Sequence, residues 1–206
     1  WDGGKTTFKN IEGFQNLSLG TGNDRLDFSA WSCDDSVLTG PGDDVINPGL
    51  GKDTVSGGEG IDTLILDYST LSSRINSLVN GDGSGSVYLE ANQGSASASY
   101  ANSIENISLV ATDFNDIIRL GDGGDTINAG AGNDVITTGG DQAAEVDAFD
   151  GGEGTDYLID YTLTSLKADI VLDKNGIRWN DGKTTFRNIE GFQNLSLGTG
   201  NDRLDF

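Results

Sequence analysis

Thr39-Gly-Pro-Gly-Asp-Asp44-Val-Ile-Asn47, Pro48-Gly-Leu-Gly-Lys-Asp53-Thr-Val-Ser56 and Gly57-Gly-Glu-Gly-Ile-Asp62-Thr-Leu-Ile65 follow one another without a break. These three nonapeptides share Gly at positions 2 and 4, Asp at position 6 and an aliphatic residue at position 8. The first six residues of each predict a turn, where Gly supplies positive φ and close backbone approach at little steric cost. The last three predict a short strand with one inward side chain, here Ile46, Val55 and Leu64. A flexible Gly/Asp-rich linker would share the composition. It would not fix an aliphatic residue two places after every Asp.

If one nonapeptide is half a coil, eighteen residues return the chain to the same edge. Asp44 and Asp62 then stack, while Asp53 lies on the opposite edge. Stacked carboxylates repel unless a cation sits between them, and calcium accepts six to eight carboxylate and carbonyl oxygens in flexible geometry. The spacing resembles the G-G-x-G-x-D-x-U-x repeat of the RTX, or haemolysin-type calcium-binding, family. That resemblance implies an all-β fold of parallel β-roll (β-solenoid) blocks and several Ca2+ ions, each held between the turns of repeats n and n+2. The implied carboxylate ligands are Asp24, Asp44, Asp53, Asp62, Asp125, Asp134, Asp147, Asp156 and Asp202. The implied carbonyls lie near Gly20, Gly22, Gly40, Gly42, Gly49, Gly51, Gly58, Gly60, Gly121, Gly123, Gly130, Gly132, Gly152 and Gly154. Asp35 and Asp116 rank as weaker ligands, because Trp31 and Cys33, and Thr112 and Phe114, replace the glycines of their turns.

Working outward, the first β-roll block spans residues 19–66 and a second spans 111–160. Its aspartates are followed two places later by Ile118, Ile127, Ile136, Phe149 and Leu158, which with Leu26, Val37, Ile46, Val55 and Leu64 should line one narrow core. Asp24–Asp44, Asp35–Asp53, Asp44–Asp62, Asp116–Asp134, Asp125–Asp147 and Asp134–Asp156 should stack. A four-residue excess around Gln142-Ala-Ala-Glu145 reads as a looped bulge. Residues 67–110 and 161–196 read as β-rich connectors built from hairpins, residues 1–18 as the end of another connector, and residues 197–206 as the start of the next block. Expected connector strands are Leu64–Tyr68, Arg74–Val79, Ser86–Glu90 and Ile104–Val110. Ile177–Trp179 and Thr184–Arg187 form an expected hairpin around Asn-Asp-Gly. No 3.6-residue apolar period appears, so helices are not expected. Ser103-Ile-Glu-Asn106 aligns with Asn188-Ile-Glu-Gly191, so the chain reads as two divergent halves.

Residues 1–28 recur at 179–206 with differences only at positions 2, 3 and 9, a period of 178 residues. The chain is therefore expected to be a window cut from a long tandem array. With no Met, it is not expected to be a complete translation product.

The 206 residues carry a net charge of −21, with 26 Asp against 7 Glu and 31 Gly. Turns and oxygen-ligand sites favour Asp over Glu. Such charge disfavours nucleic-acid partners and membrane insertion, and about six to eight calcium ions would cancel most of it. A single Cys33 excludes an internal disulfide framework. The absence of His removes Ser-His-Asp, Cys-His and zinc-type chemistry, and the clustered aspartates belong to the repeat, so no catalytic residue is expected. The favoured function is a calcium-stabilised structural or adhesive rod or filament: an adhesin, surface-layer or matrix fibre. It would be extracellular at a bacterial surface, exported by a type I route, self-associating along its axis and touching cell-surface or matrix components. Two alternatives stand beside it: the calcium-binding region of a secreted RTX enzyme or toxin, and a carbohydrate- or surface-binding module using Trp1, Trp31, Tyr88, Tyr100 or Trp179. Finally, Asn16, Asn106 and Asn194 head glycosylation sequons at what read as equivalent positions, though they also suit the outward side of an alternating strand.

Overall fold

A computed structural model describes residues 12–80, 86–91, 99–120, 123–137, 147–159, 169–173, 176–179, 185–194 and 203–205. Every regular element among the described residues is a strand. In chain order these are β1 (Leu17–Ser18), β2 (Arg25–Asp27), β3 (Ser36–Leu38), β4 (Val45–Asn47), β5 (Thr54–Ser56) and β6 (Thr63–Asp67). The middle of the chain adds β7 (Ile75–Asn80), β8 (Ser86–Ala91), β9 (Ser99–Asn102), β10 (Asn106–Val110), β11 (Ile117–Arg119) and β12 (Thr126–Asn128). Then come β13 (Ala131–Gly132), β14 (Val135–Thr137), β15 (Ala148–Asp150), β16 (Glu153–Gly154) and β17 (Tyr157–Ile159). The last are β18 (Asp169–Asp173), β19 (Gly176–Trp179), β20 (Thr185–Arg187), β21 (Gly191–Gln193) and β22 (Arg203–Asp205).

Two faces form, and the chain alternates between them. One sheet runs β1-β3-β5-β9-β8-β7-β11-β14-β17-β21, the other β2-β4-β6-β10-β12-β15-β20. The repeats pair in parallel, with Leu26 beside Ile46, Ile46 beside Leu64, Val37 beside Val55 and Ile136 beside Leu158. This is a parallel β-roll. A three-residue strand has one inward position, so each half coil contributes one side chain to the core. All ten expected core residues are buried, from Leu26 at 9% exposure to Ile46, Val55, Leu64, Ile118, Ile136 and Leu158 at 0%. Each such aliphatic contributes about 1.5–3 kcal/mol relative to exposure.

The first connector does not interrupt this roll. β6 pairs directly with β10 on one face. On the other, the chain passes β5, lays down β7 three strand positions ahead, and doubles back through antiparallel β8 and β9 to fill the two positions between. β9 then pairs in parallel with β5, and β7 with β11. Two details differ from the sequence reading. β9 was not expected, since Ser99-Tyr-Ala-Asn102 follows a Ser/Ala/Gly run with little apolar alternation. The strand expected from Ile104 begins at Asn106, because Ile104 and Glu105 belong to the turn.

The second connector places an antiparallel pair at the end of the opposite face, in a three-stranded sheet of its own. β17 pairs directly with β21, whereas β20 pairs in parallel with β15 and β18 pairs antiparallel to β19 and parallel to β22. β19 lies alongside β20. The turn of the hairpin expected there, and the bulge expected around Gln142, lie outside the described residues.

Candidate metal centre

The nonapeptide turns form two edges. Turns entering the β2 face carry Asp24, Asp44, Asp62, Asp125 and Asp147, and turns entering the β1 face carry Asp35, Asp53, Asp116, Asp134 and Asp156. All are buried except Asp24, which is half-buried. In all but Asp24, Oδ1 accepts a backbone N–H from one coil earlier. Asp24 N–H donates to Asp44 at 2.7 Å, Asp44 to Asp62 at 2.9 Å, and Asp35 to Asp53 at 3.0 Å. Asp116 N–H donates to Asp134 at 2.7 Å, Asp134 to Asp156 at 2.7 Å, and Asp125 to Asp147 at 3.0 Å. The six expected pairs thus stack, with the longer spacings of 20 and 22 residues absorbed outside the ladder. Asp125 also takes the Ile107 N–H at 2.9 Å, and Asp35 that of Phe14 at 2.5 Å. Asp202 and Gly121 lie outside the described residues.

The second oxygens decide the chemistry. Oδ2 of Asp24, Asp35, Asp44, Asp53, Asp62, Asp134 and Asp156 is buried with no hydrogen-bond partner. Leaving a buried acceptor unmade costs about 1–3 kcal/mol, and more if it is charged. Burial pushes the carboxyl of Asp53 up to about 6 and that of Asp134 to about 7. Stacked carboxylates reinforce both shifts, and the ladder N–H opposes them. Burial also raises Asp35, Asp62, Asp116 and Asp156. These edges either hold protons or need cations.

The surrounding oxygens suit a hard cation. Gly58 and Gly60 sit at φ 128° and 137°, and a Cβ on either would strike the carbonyl oxygens of Gly40 and Gly42 one coil earlier. Glycine is therefore required, and the carbonyls crowd the space between turns. Carbonyls of Gly130 and Gly132 lie the same way beneath Gly152 and Gly154. Among the described residues no three acidic side chains converge. An ion between two turns would then draw at most two carboxylates, the rest of its six to eight ligands being carbonyls and water.

Asp116 is different. Its oxygens take the Ile75 N–H at 2.6 Å, the Thr112 N–H at 2.9 Å and the Thr112 hydroxyl at 2.9 Å. Thr112, standing where a glycine would be, satisfies the carboxylate from within the chain. Asp35 keeps its orphan oxygen, although Trp31 and Cys33 replace its glycines. Trp31 packs instead of lining a site, stacking on Phe28 and Phe14 with ring centroids 4.6 and 5.9 Å apart.

Two features escaped the sequence reading. The exposed residue before each Asp forms an outer ladder running the opposite way. Asn23 Oδ1 accepts the Asp43 N–H, Asp43 that of Ile61, Asp34 that of Lys52, Asn115 that of Asn133 and Asn133 that of Thr155, all at 2.8–3.0 Å. Its signal was present as Asn-Asp and Asp-Asp pairs, which stop at Lys52, Ile61 and Thr155 on the last coil of each block. Glu105 and Glu190 also stand in the Asp column, taking the N–H of Asp62 and Asp156 at 2.8 and 2.6 Å. Asn16 and Asn194 are copies one period apart and both exposed, but Asn106 is not equivalent to them. Asn106 opens β10 and its Oδ1 accepts the Gly124 N–H at 2.9 Å as part of the outer ladder, while Asn194 follows β21 at φ 57° and Asn16 is exposed.

A family model described as the RTX calcium-binding nonapeptide repeat matches residues 34–64 and 110–142, in four copies. Those segments are RTX repeats. RTX repeats bind Ca2+ at multiple sites, form a calcium-binding region rather than a catalytic one, and occur in secreted bacterial proteins. The inner carboxylate ladder continues beyond them to Asp24, Asp147 and Asp156. No curated protein matches the chain. Among solved structures, the chain is similar to the crystal structure of extracellular lipase LipA from Serratia marcescens, at 14% identity and a TM-score of 0.28. The match covers 91% of this chain and 37% of the lipase, so the chain spans about a third of that protein's length. Among the described residues no helix is long and apolar enough to cross a membrane.

Proposed function

We propose that this chain is a stretch of a calcium-stapled extracellular rod at a bacterial surface, serving as an adhesin or surface fibre rather than as an enzyme. One observation carries the reading: the two connectors enlarge opposite faces. In the first, two extra strands enter the β1 face while β6 joins β10 directly. In the second, β18, β19 and β22 form a three-stranded sheet of their own, which extends the β2 face where β19 lies alongside β20, while β17 joins β21 directly. Strands lie about 4.8 Å apart, so each insertion lengthens one face by about 10 Å and would bend the solenoid alone. Paired on opposite faces, they cancel. Counting β19 as the neighbour of β20, the β2 face advances by nine strands from β2 to its sequence copy β22, and the other face by nine from β1 to β21, which gives about 43 Å per 178-residue period. A straight repeat suits a long spacer whose axial partner is a further copy of itself. Calcium would also time its folding: a chain of charge −21 stays open where calcium is scarce, passes a type I secretion channel, and folds outside, where the ion is abundant.

X-ray scattering of chains one, two and three periods long, in calcium, tests the rod. The maximum dimension should grow by about 43 Å per period. Growth that levels off, or a closed arc, would count against it.

A further inference from the structure

The carboxylate ladder does not stop at the last Asp of each block. Asp62, the final Asp of the first block on its edge, meets Glu105 across 43 residues, and Asp156 meets Glu190 across 34. The two junctions match in detail. In each, the glutamate Oε2 accepts the aspartate N–H, while the aspartate carbonyl accepts the N–H groups of the glutamate and of the residue after it. Two residues before each glutamate, Ser103 and Asn188 adopt left-handed backbone at φ 51° and 49°, rare outside glycine. The residue between them, Ile104 or Ile189, is buried in the core. In the nonapeptide turns that same place holds an exposed residue such as Asp43 or Asn133. A turn that tucks its preceding side chain inward sets its carboxylate back, and the extra methylene of Glu restores the reach.

Each junction also holds a buried oxygen in need of a partner. Asp62 and Asp156 are fully buried, and the Oδ2 of each has none. Both oxygens face a carbonyl of the connector turn: a Cβ on Gly57 would strike Ser103 O and Asp62 Oδ2 together, and one on Gly151 would strike Asn188 O and Asp156 Oδ2. Gly57-Gly-Glu-Gly and Gly151-Gly-Glu-Gly are the two turns with glycine at this first position beside such a carbonyl.

We infer that each junction is a further divalent-cation site outside the nonapeptide pattern, formed by Asp62, Glu105 and the Ser103 carbonyl, and by Asp156, Glu190 and the Asn188 carbonyl. The inference rests on the calcium reading of the nonapeptide edges. These sites tie each connector to the block before it, so the rod is clamped by metal where its coil pattern breaks.

Calcium stoichiometry of the whole chain, by equilibrium dialysis, tests this. Glu105→Gln and Glu190→Gln keep an oxygen for the ladder N–H and remove the charge. Each should lose one ion, and the double variant two, with the circular dichroism of the calcium-saturated fold retained. Asp44→Asn is the control for the nonapeptide edge. If the wild type binds ions and Asp44→Asn loses some while the glutamine variants lose none, the junction sites are refuted and the edge reading stands. If the wild type binds none, the edge reading itself fails. Should a glutamine variant not fold, anomalous diffraction from the wild type with calcium decides. A peak touching both Asp62 and Glu105 supports the site, and its absence beside filled nonapeptide sites overturns it.

Discussion

Asp116 and Asp134 occupy adjacent coils of the same edge, and one N–H···O bond of 2.7 Å joins them. Both are fully buried. Yet Asp116 is saturated by Ile75 and Thr112, while Asp134 keeps a partnerless Oδ2. The difference comes from the turn. Thr112 brings a hydroxyl and its own N–H to the carboxylate, whereas the glycine turn before Asp134 offers carbonyls, which can only accept. A buried carboxylate facing carbonyls is a repulsive arrangement until something positive enters. The chain therefore contains both solutions to one problem, a hydroxyl donor in one coil and a cation in the next.

Removing the cation should break the second solution everywhere at once. Seven orphan oxygens at about 1–3 kcal/mol each amount to roughly 7–20 kcal/mol. That equals or exceeds the whole stability of a typical domain, about 5–15 kcal/mol. Without calcium the chain should lose its β signal in circular dichroism and regain it on titration, with a midpoint near 10⁻⁴–10⁻³ M, as for other extracellular calcium modules. A chain that kept full β signal in excess chelator would show that the orphan oxygens need no ion.

The comparison sharpens when each member is altered separately. Asp134→Ala removes a carboxylate shared by two inter-turn spaces and should raise the calcium midpoint several-fold, as should Asp44→Ala, and both more than Asp35→Ala. Asp116→Ala should leave stoichiometry unchanged and cost stability in saturating calcium. Thr112 and Ile75 lose acceptors, worth about 2–4 kcal/mol together in urea unfolding. Thr112→Gly should do the reverse, freeing Asp116 and adding an ion. Equal calcium midpoints for Asp134→Ala and Asp116→Ala would erase the distinction between them.

Protons offer a third way to satisfy the edges, and the sign follows from the pKa direction. Asp53 and Asp134 have folded-state values raised to about 6 and about 7, against an ordinary value of 3.8. The calcium-free fold therefore holds its full contribution from these groups below about pH 4 and loses it as pH rises through 6 to 7. Calcium-depleted chain should gain β structure on acidification from pH 8 to 5. The calcium midpoint should rise over the same range, because protons and ions compete for the same oxygens. A midpoint flat with pH would mean that the buried carboxylates are not the ligands.

Much of this was legible because the nonapeptide is local. One coil spans about eighteen residues, so the ten core positions and six Asp pairs follow from spacing. The roles of Glu105, Glu190 and Thr112 were not, for a physical reason. Glu105 meets Asp62 across an excursion of 43 residues, and alternation in β7 and β8 predicts strands without saying that the chain overshoots and returns. Thr112 looked like a lost glycine, since the pattern records what a turn requires and not what a hydroxyl can replace. Asn106 was misplaced because its sequon resembles that of Asn194, while its strand register belongs to the outer ladder.

The outer ladder gives the smallest effect and the finest test. Asn133 is exposed and its side chain accepts the Thr155 N–H at 2.9 Å, while its own N–H donates to Asn115. Water can replace a lost partner at an exposed position, so Asn133→Ala should cost about 0.5–1.5 kcal/mol. Calcium stoichiometry should not change. The adjacent Asp134 is sealed from water, so its loss must show in calcium binding instead. Measured together in urea and calcium titrations, the two neighbours should separate cleanly, one changing stability at fixed calcium and the other changing the calcium midpoint. If Asn133→Ala also removed an ion, the outer ladder would be part of the metal site, and position 5 would join the Asp as a ligand.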